Sequence, residues 1–83
     1  MPFALHWMME KKLVEDEAMG FVLSVLKRAG RPLTTREVQE EADRRLVRCP
    51  DSTPVFLNKL RLNGVIKGEY SKEKKAWLWW VES

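Results

Sequence analysis

Apolar residues recur at helical spacing over residues 13–29, where Ala18, Phe21, Val22, Val25, Leu26 and Ala29 fall on one face, so this stretch is expected to be the longest helix and the main wall of the core. Glu15, Asp16 and Glu17 stand near its start and Lys27 and Arg28 near its end, the order that suits the helix dipole. Gly20 lies inside it and is expected to let a neighbour approach closely, while Gly30 and Pro32 end it. A second helix opens at Leu33-Thr34-Thr35-Arg36-Glu37-Val38. Thr34 and Glu37 have capping-box spacing, with Leu33 and Val38 as the hydrophobic staple. Its apolar stripe of Val38, Ala42 and Leu46 is narrow, which leaves the helix half in solvent. A third, shorter helix fills residues 51–64, with Thr53 as its cap, Pro54 at its first position and Asn63-Gly64 as its stop. Beyond it, Val65 to Tyr70 and Ala76 to Val81 are rich in β-branched and aromatic residues. They flank the polar tip Ser71-Lys72-Glu73-Lys74-Lys75, the pattern of a β-hairpin with a longer loop.

Residues 2–12 are apolar first and charged afterwards. Phe3, Leu5 and Trp7 alternate as a strand would, whereas Pro2 with Leu5, Met8 and Met9 suits a helix, and periodicity leaves the choice open. So much apolar side chain favours an arm, residues 1–12, packed on the domain or on a partner subunit, over a mobile terminus. The remaining residues, 13–83, then form one α+β domain. With 83 residues a single small core is expected, and 45% hydrophobic with 33% charged residues is ordinary for a folded chain.

Charge changes the picture more than composition does. The formal net charge of +3 is unevenly spread: residues 1–43 hold six basic and eight acidic side chains, residues 44–75 nine basic and three acidic. The basic surplus therefore lies in the C-terminal half. One cysteine, Cys49, excludes an internal disulfide and fits a reducing compartment. No apolar run reaches the length of a membrane span, and the opening residues carry neither the basic leader nor the cleavage site of a signal peptide, so a cytoplasmic protein is expected. Catalytic groupings are missing. The single His6 and single Cys49 lie far apart, no metal-ligand spacing occurs, and no glycine-rich phosphate loop joins a strand to a helix. A non-enzyme with no cofactor, no metal and no small-molecule substrate is the expectation.

Order and punctuation carry a resemblance. Helix 1, a second helix opening at Leu33-Thr34-Thr35-Arg36-Glu37-Val38, a third closing on Leu57-Asn58-Lys59-Leu60-Arg61-Leu62-Asn63-Gly64-Val65-Ile66, and then a charged hairpin resemble the winged helix-turn-helix superfamily over residues 13–81. The resemblance implies a domain that binds double-stranded DNA, typically as a transcriptional regulator, with the third helix in the major groove and the wing on the backbone. On a helical wheel Phe56, Leu57 and Leu60 face inward. Val55, Asn58 and Leu62 face outward, flanked by Lys59 and Arg61. Asn58 then faces an adenine edge, Arg61 a guanine or a phosphate, and Val55 a thymine methyl; Thr53 stands at the start of the same helix. Lys72, Lys74 and Lys75 at the tip and Lys67 at the base of the wing are placed to neutralise phosphates.

The last strand has two apolar faces, Trp77, Trp79 and Val81 on one and Ala76, Leu78 and Trp80 on the other. One covers the helices. The other calls for a homodimer contact, shared with Phe3, Leu5 and Trp7 of the arm. The competing reading is a winged-helix protein–protein interaction module, docking through Val55, Leu62, Trp77, Trp79 and Trp80 on another protein.

Overall fold

The structure is a computed structural model and describes residues 11–82. The long amphipathic stretch forms α1, Glu15–Ala29, beginning two residues later than its periodicity suggests. Val14 occupies the cap position. It has no side-chain acceptor to offer, so only the returning half of a capping box forms, with the Val14 amide donating to Glu17 Oε1 at 3.2 Å. That bond, followed by Lys11, holds the Glu17 carboxyl below its ordinary value. Ala18, Val22, Val25 and Leu26 are buried, the spacing of one helical face, and the Gly30 amide closes the helix on Leu26 O at 3.3 Å. Gly20 does not admit a neighbour as expected: a Cβ built there meets nothing within 4 Å, because the residue lies on the solvent side.

Thr34 joins two kinds of structure. With Leu33 it forms β2, Leu33–Thr34, which runs antiparallel to the last strand. Its hydroxyl also accepts from the Glu37 amide at 3.1 Å while Glu37 Oε1 accepts from the Thr34 amide at 2.9 Å, the complete capping box that starts α2, Thr35–Arg44. Arg31 bonds Glu37 from outside at 3.0 Å and, together with the Thr34 amide, keeps that carboxyl below its ordinary value. Leu33 and Val38, the staple pair, are both buried. The stripe along α2 stops at Ala42. Leu46 leaves it, since the helix ends at Arg44 and Leu46 turns into the left-handed region at φ 58°. That turn sets β3, Val47–Arg48, parallel to β1, Lys11–Lys12, with the Lys11 amide donating to Leu46 O at 2.8 Å and the Leu13 amide to Arg48 O at 2.7 Å. Lys11 and Lys12 thus run beside β3, and Leu13 enters the core. Phe3, Leu5 and Trp7 lie outside the described residues.

The third helix, α3, spans Thr53–Leu62. Ser52, not Thr53, holds its cap position, and Pro54 stands second in the helix, where a missing N–H disturbs no intrahelical bond. Phe56, Leu57 and Leu60 are buried as the wheel requires. At the far end Gly64 takes φ 77° and donates to Arg61 O at 3.0 Å, while Val65 donates to Leu60 O at 2.9 Å, the paired bonds of a Schellman stop. Val65 and Ile66 are used in that turn and in the core, so the expected strand begins later, as β4, Lys67–Ser71. It pairs antiparallel with β5, Ala76–Trp80, from Lys67 opposite Trp80 to Ser71 opposite Ala76. The tip, residues 72–75, reverses the chain with Lys75 at φ 52° and the Lys74 amide donating to Ser71 Oγ at 3.2 Å.

Among the described residues, three helices and a three-stranded antiparallel sheet of order β2-β5-β4 make up a mixed α+β domain, with the small β1–β3 pair beside it. Trp79 of β5 closes the core. It is 2% exposed, and its Nε1–H donates to Thr35 Oγ1 at 2.8 Å, which satisfies the indole where it is buried. Gly68 lies opposite it in β4, and a Cβ there would stand 2.6 Å from the six-membered ring of Trp79 and 3.0 Å from Arg61 Cδ. Gly68→Ala is expected to destabilise the domain by about 1–3 kcal/mol through overpacking. Gly20→Ala, in open space on a helix, should stabilise it by about 1 kcal/mol. Urea denaturation of both variants checks the pair, and equal effects would refute the packing of β4 on Trp79.

Candidate nucleic-acid interface

The outward face of α3 follows from its buried one. With Phe56, Leu57 and Leu60 turned to the core, Val55 and Leu62 are left 57% and 69% exposed, with Asn58 exposed between them. Two residues expected on or beside this face are engaged elsewhere. Thr53 is 7% exposed and its hydroxyl donates to Gln39 Oε1, while Gln39 Nε2 donates to Asp43 Oδ1 at 2.8 Å, so Thr53 ties α3 to α2 and its hydroxyl proton is already engaged. Lys59 turns back to the start of α1, where it pairs with Glu15 and approaches Asp51 Oδ2 at 3.9 Å. The hydrogen bond and charge of Glu15, followed by Asp51, hold the Lys59 ammonium above its ordinary pKa. Its charge is compensated on the wrong side of the helix for the role expected of it.

Arg61 bridges α3 and the hairpin. Its Nε and Nη2 donate to Asn58 Oδ1 at 3.1 and 2.8 Å, one turn earlier on the same helix. Its guanidinium carbon lies 5.2 Å from the centre of the Trp77 ring, within cation–π range. Trp77, 37% exposed, stacks on Trp79 at 5.4 Å and 19°, and Tyr70, its cross-strand partner, meets it edge-on at 6.3 Å and 73°. Tyr70 was not among the sequence candidates. Its signal is positional: it faces Trp77 only once the tip is known to be residues 72–75 and the register is set.

Charge on the domain divides into compensated and uncompensated regions. Along α2, Arg36 approaches Glu40 at 3.7 Å, and Glu41 takes Arg44 at 2.7 Å and Arg45 at 3.0 Å. Arg45 also lies 5.6 Å from the Phe21 ring centre. By contrast Lys67, Lys72, Lys74 and Lys75 are exposed, and none of the four makes an ion pair among the described residues. A shallow groove lined by Thr34, Arg36, Pro54, Lys74, Ala76 and Trp77 runs between the starts of α2 and α3 and the hairpin tip. It brings the first turn of α3, through Pro54, beside Lys74 of the hairpin tip, while Val55, Asn58 and Leu62 do not line it.

The opposite face of β5 is partly covered from within the chain. Leu78 and Trp80 of that face line an apolar hollow with Leu26, Lys27, Arg31 and Pro32; Val81, expected on the Trp77–Trp79 face, lies past the end of β5 and lines the same hollow, and all three are half-buried. Of the Trp residues expected at an interface, Trp79 is core, Trp77 is at the surface and Trp80 is intermediate. Elsewhere the chemistry is sparse. Burial, then Asp51, pushes the Cys49 thiol up, away from the thiolate that reactivity needs. No group of His, Cys, Asp and Glu among the described residues is placed to hold a metal, and no helix among them is long and apolar enough to cross a membrane.

The two stacked indoles should separate on truncation. Trp79→Ala is expected to cost about 3–5 kcal/mol as a buried aromatic. Trp77→Ala should cost about 1–2 kcal/mol through its stacking and cation–π contacts. Urea midpoints compared with that of the unaltered chain measure both, and a larger loss at Trp77 would invert the assignment of core and surface. No family model, no curated protein and no solved structure matches the chain, so the roles of these residues rest on their own geometry and charge.

Proposed function

We propose that the chain is a small winged-helix domain that binds double-stranded DNA, in the manner of a transcriptional regulator, with α3 in the major groove and the β4–β5 hairpin as a wing on the phosphate backbone. The observation that carries this reading is the set of exposed lysines on the hairpin, Lys67, Lys72, Lys74 and Lys75, none of which makes an ion pair among the described residues. The succession of three helices with the hairpin directly after α3 supports it. An α-helix with its side chains is about 10–12 Å across, close to the roughly 12 Å width of the major groove. The wing lysines position the domain and are indifferent to sequence.

Binding of this kind weakens steeply with salt. Replacing Lys72, Lys74 and Lys75 together by Ala should lower the slope of log K against log salt by about 2–3. Lys59→Ala should change it little, because Lys59 is already held by Glu15. Fluorescence anisotropy against a broad duplex pool reads both slopes; absent or salt-insensitive binding of the unaltered chain would sink the proposal.

The exposure of Val55 and Leu62 favours a second reading, a winged-helix module that docks this apolar strip on another protein or on a second copy. Leu62→Lys separates the two. Added positive charge should maintain or strengthen duplex binding under the first reading. Under the second it should abolish association seen by sedimentation equilibrium, with the duplex left unbound throughout.

A further inference from the structure

Arg61 has five N–H donors in a planar fork, and Asn58 takes two of them, one from Nε and one from Nη2. Because both are donors, the Asn58 atom that faces them has to be the carbonyl oxygen, and its NH2 group points away. The side-on edge of the guanidinium is thereby occupied. Its end-on edge, the Nη1 hydrogens and the second Nη2 hydrogen, has no hydrogen-bond partner among the described residues. The plane is steadied by the Trp77 ring at 5.2 Å, and the stem lies on β4 where Gly68 leaves room for Cδ. A side chain fixed at its stem, its plane and one edge has little rotamer freedom left to lose on binding.

The consequence is chemical. With Asn58 Oδ1 engaged, Asn58 and Arg61 together present donors and no free acceptor on the outward side of α3. Adenine offers the major groove an acceptor beside a donor, cytosine a donor, and thymine a single acceptor with a methyl group. Guanine alone offers two coplanar acceptors, O6 and N7, which match the end-on fork without setting donor against donor. Resting on the DNA-binding reading of this face, we infer that Arg61 is the specificity-determining residue and reads a guanine end-on. Asn58 is its positioning residue and not a reader of adenine. A phosphate group, with two oxygens at similar spacing, is the competing source of the same acceptor pair.

The test begins with selection from a randomised duplex pool by the full chain, followed by anisotropy titrations on the enriched duplex. A guanine position is expected, at which replacement of G·C by A·T weakens binding about 5- to 150-fold. 7-Deazaguanine, which lacks the N7 acceptor, should weaken binding at the same position. Arg61→Lys keeps the charge but loses the fork, so the salt slope should persist while the guanine preference collapses. Asn58→Ala should reduce the preference, and Asn58→Asp, whose carboxylate accepts the same two bonds, should restore it at lower overall affinity. A preference unchanged in Arg61→Lys, or an enriched pool with no guanine position, would assign Arg61 to phosphate or packing and overturn the inference while leaving DNA binding intact. Failure to bind any duplex would overturn both.

Discussion

The indole of Trp79 sits where the sheet meets the helices, and most of the domain's geometry depends on its burial. Its backbone stands opposite Leu33 on one side and Gly68 on the other, its Nε1–H reaches Thr35 at the start of α2, and its ring stacks on Trp77. A domain of this size buries only about 60% of the surface its unfolded chain exposes, so one large aromatic contributes a sizeable share of the core. The close approach of β4 follows from it, since only a residue without Cβ fits against the ring. The direction of the hairpin relative to α3, and with it the position of Arg61 over Trp77, is a consequence of that packing.

Electrostatics then sorts the surface. The arginines along α2 and Lys59 in the last turn of α3 have carboxylate partners: Glu40 and Glu41 for the arginines, Glu15 for Lys59. Exposed pairs of this kind stabilise little, but they cancel the local field. The hairpin lysines make no ion pair among the described residues, so their charge stays exposed at the tip and base of the wing strands. Within about 8 Å, the screening length at physiological salt, such a cluster attracts a polyanion far more strongly than the net charge implies.

Much of this was legible in the residues. The periodicity of α1, the Thr34–Glu37 box, the Asn63-Gly64 stop and the inward set Phe56, Leu57 and Leu60 are all local signals, and local physics decides them. What the residues withheld depends on contacts distant in sequence. Nothing in Leu33-Thr34 announces a strand, because two residues gain strand character only from a partner, here β5. Lys59 on a wheel is a flanking cation until α1 brings Glu15 to it. Thr53 and Ser52 are both good caps, and the helix boundary fell one residue earlier, which moved Thr53 from cap to interior. Alternation divided the tryptophans correctly between two faces but carries no information on which member of a face lies deeper, a matter of where the helices end.

Thr34 belongs at once to the sheet and to the helix cap, hydrogen-bonding Glu37 while standing opposite Leu78. Fraying the outer end of the sheet therefore removes the cap of α2, and unwinding the first turn of α2 releases the strand. The two elements open as one cooperative unit rather than as independent fluctuations. The Thr34 and Glu37 amides, each held by the other residue's side chain, should accordingly exchange together with the amides of the β2–β5 pairing.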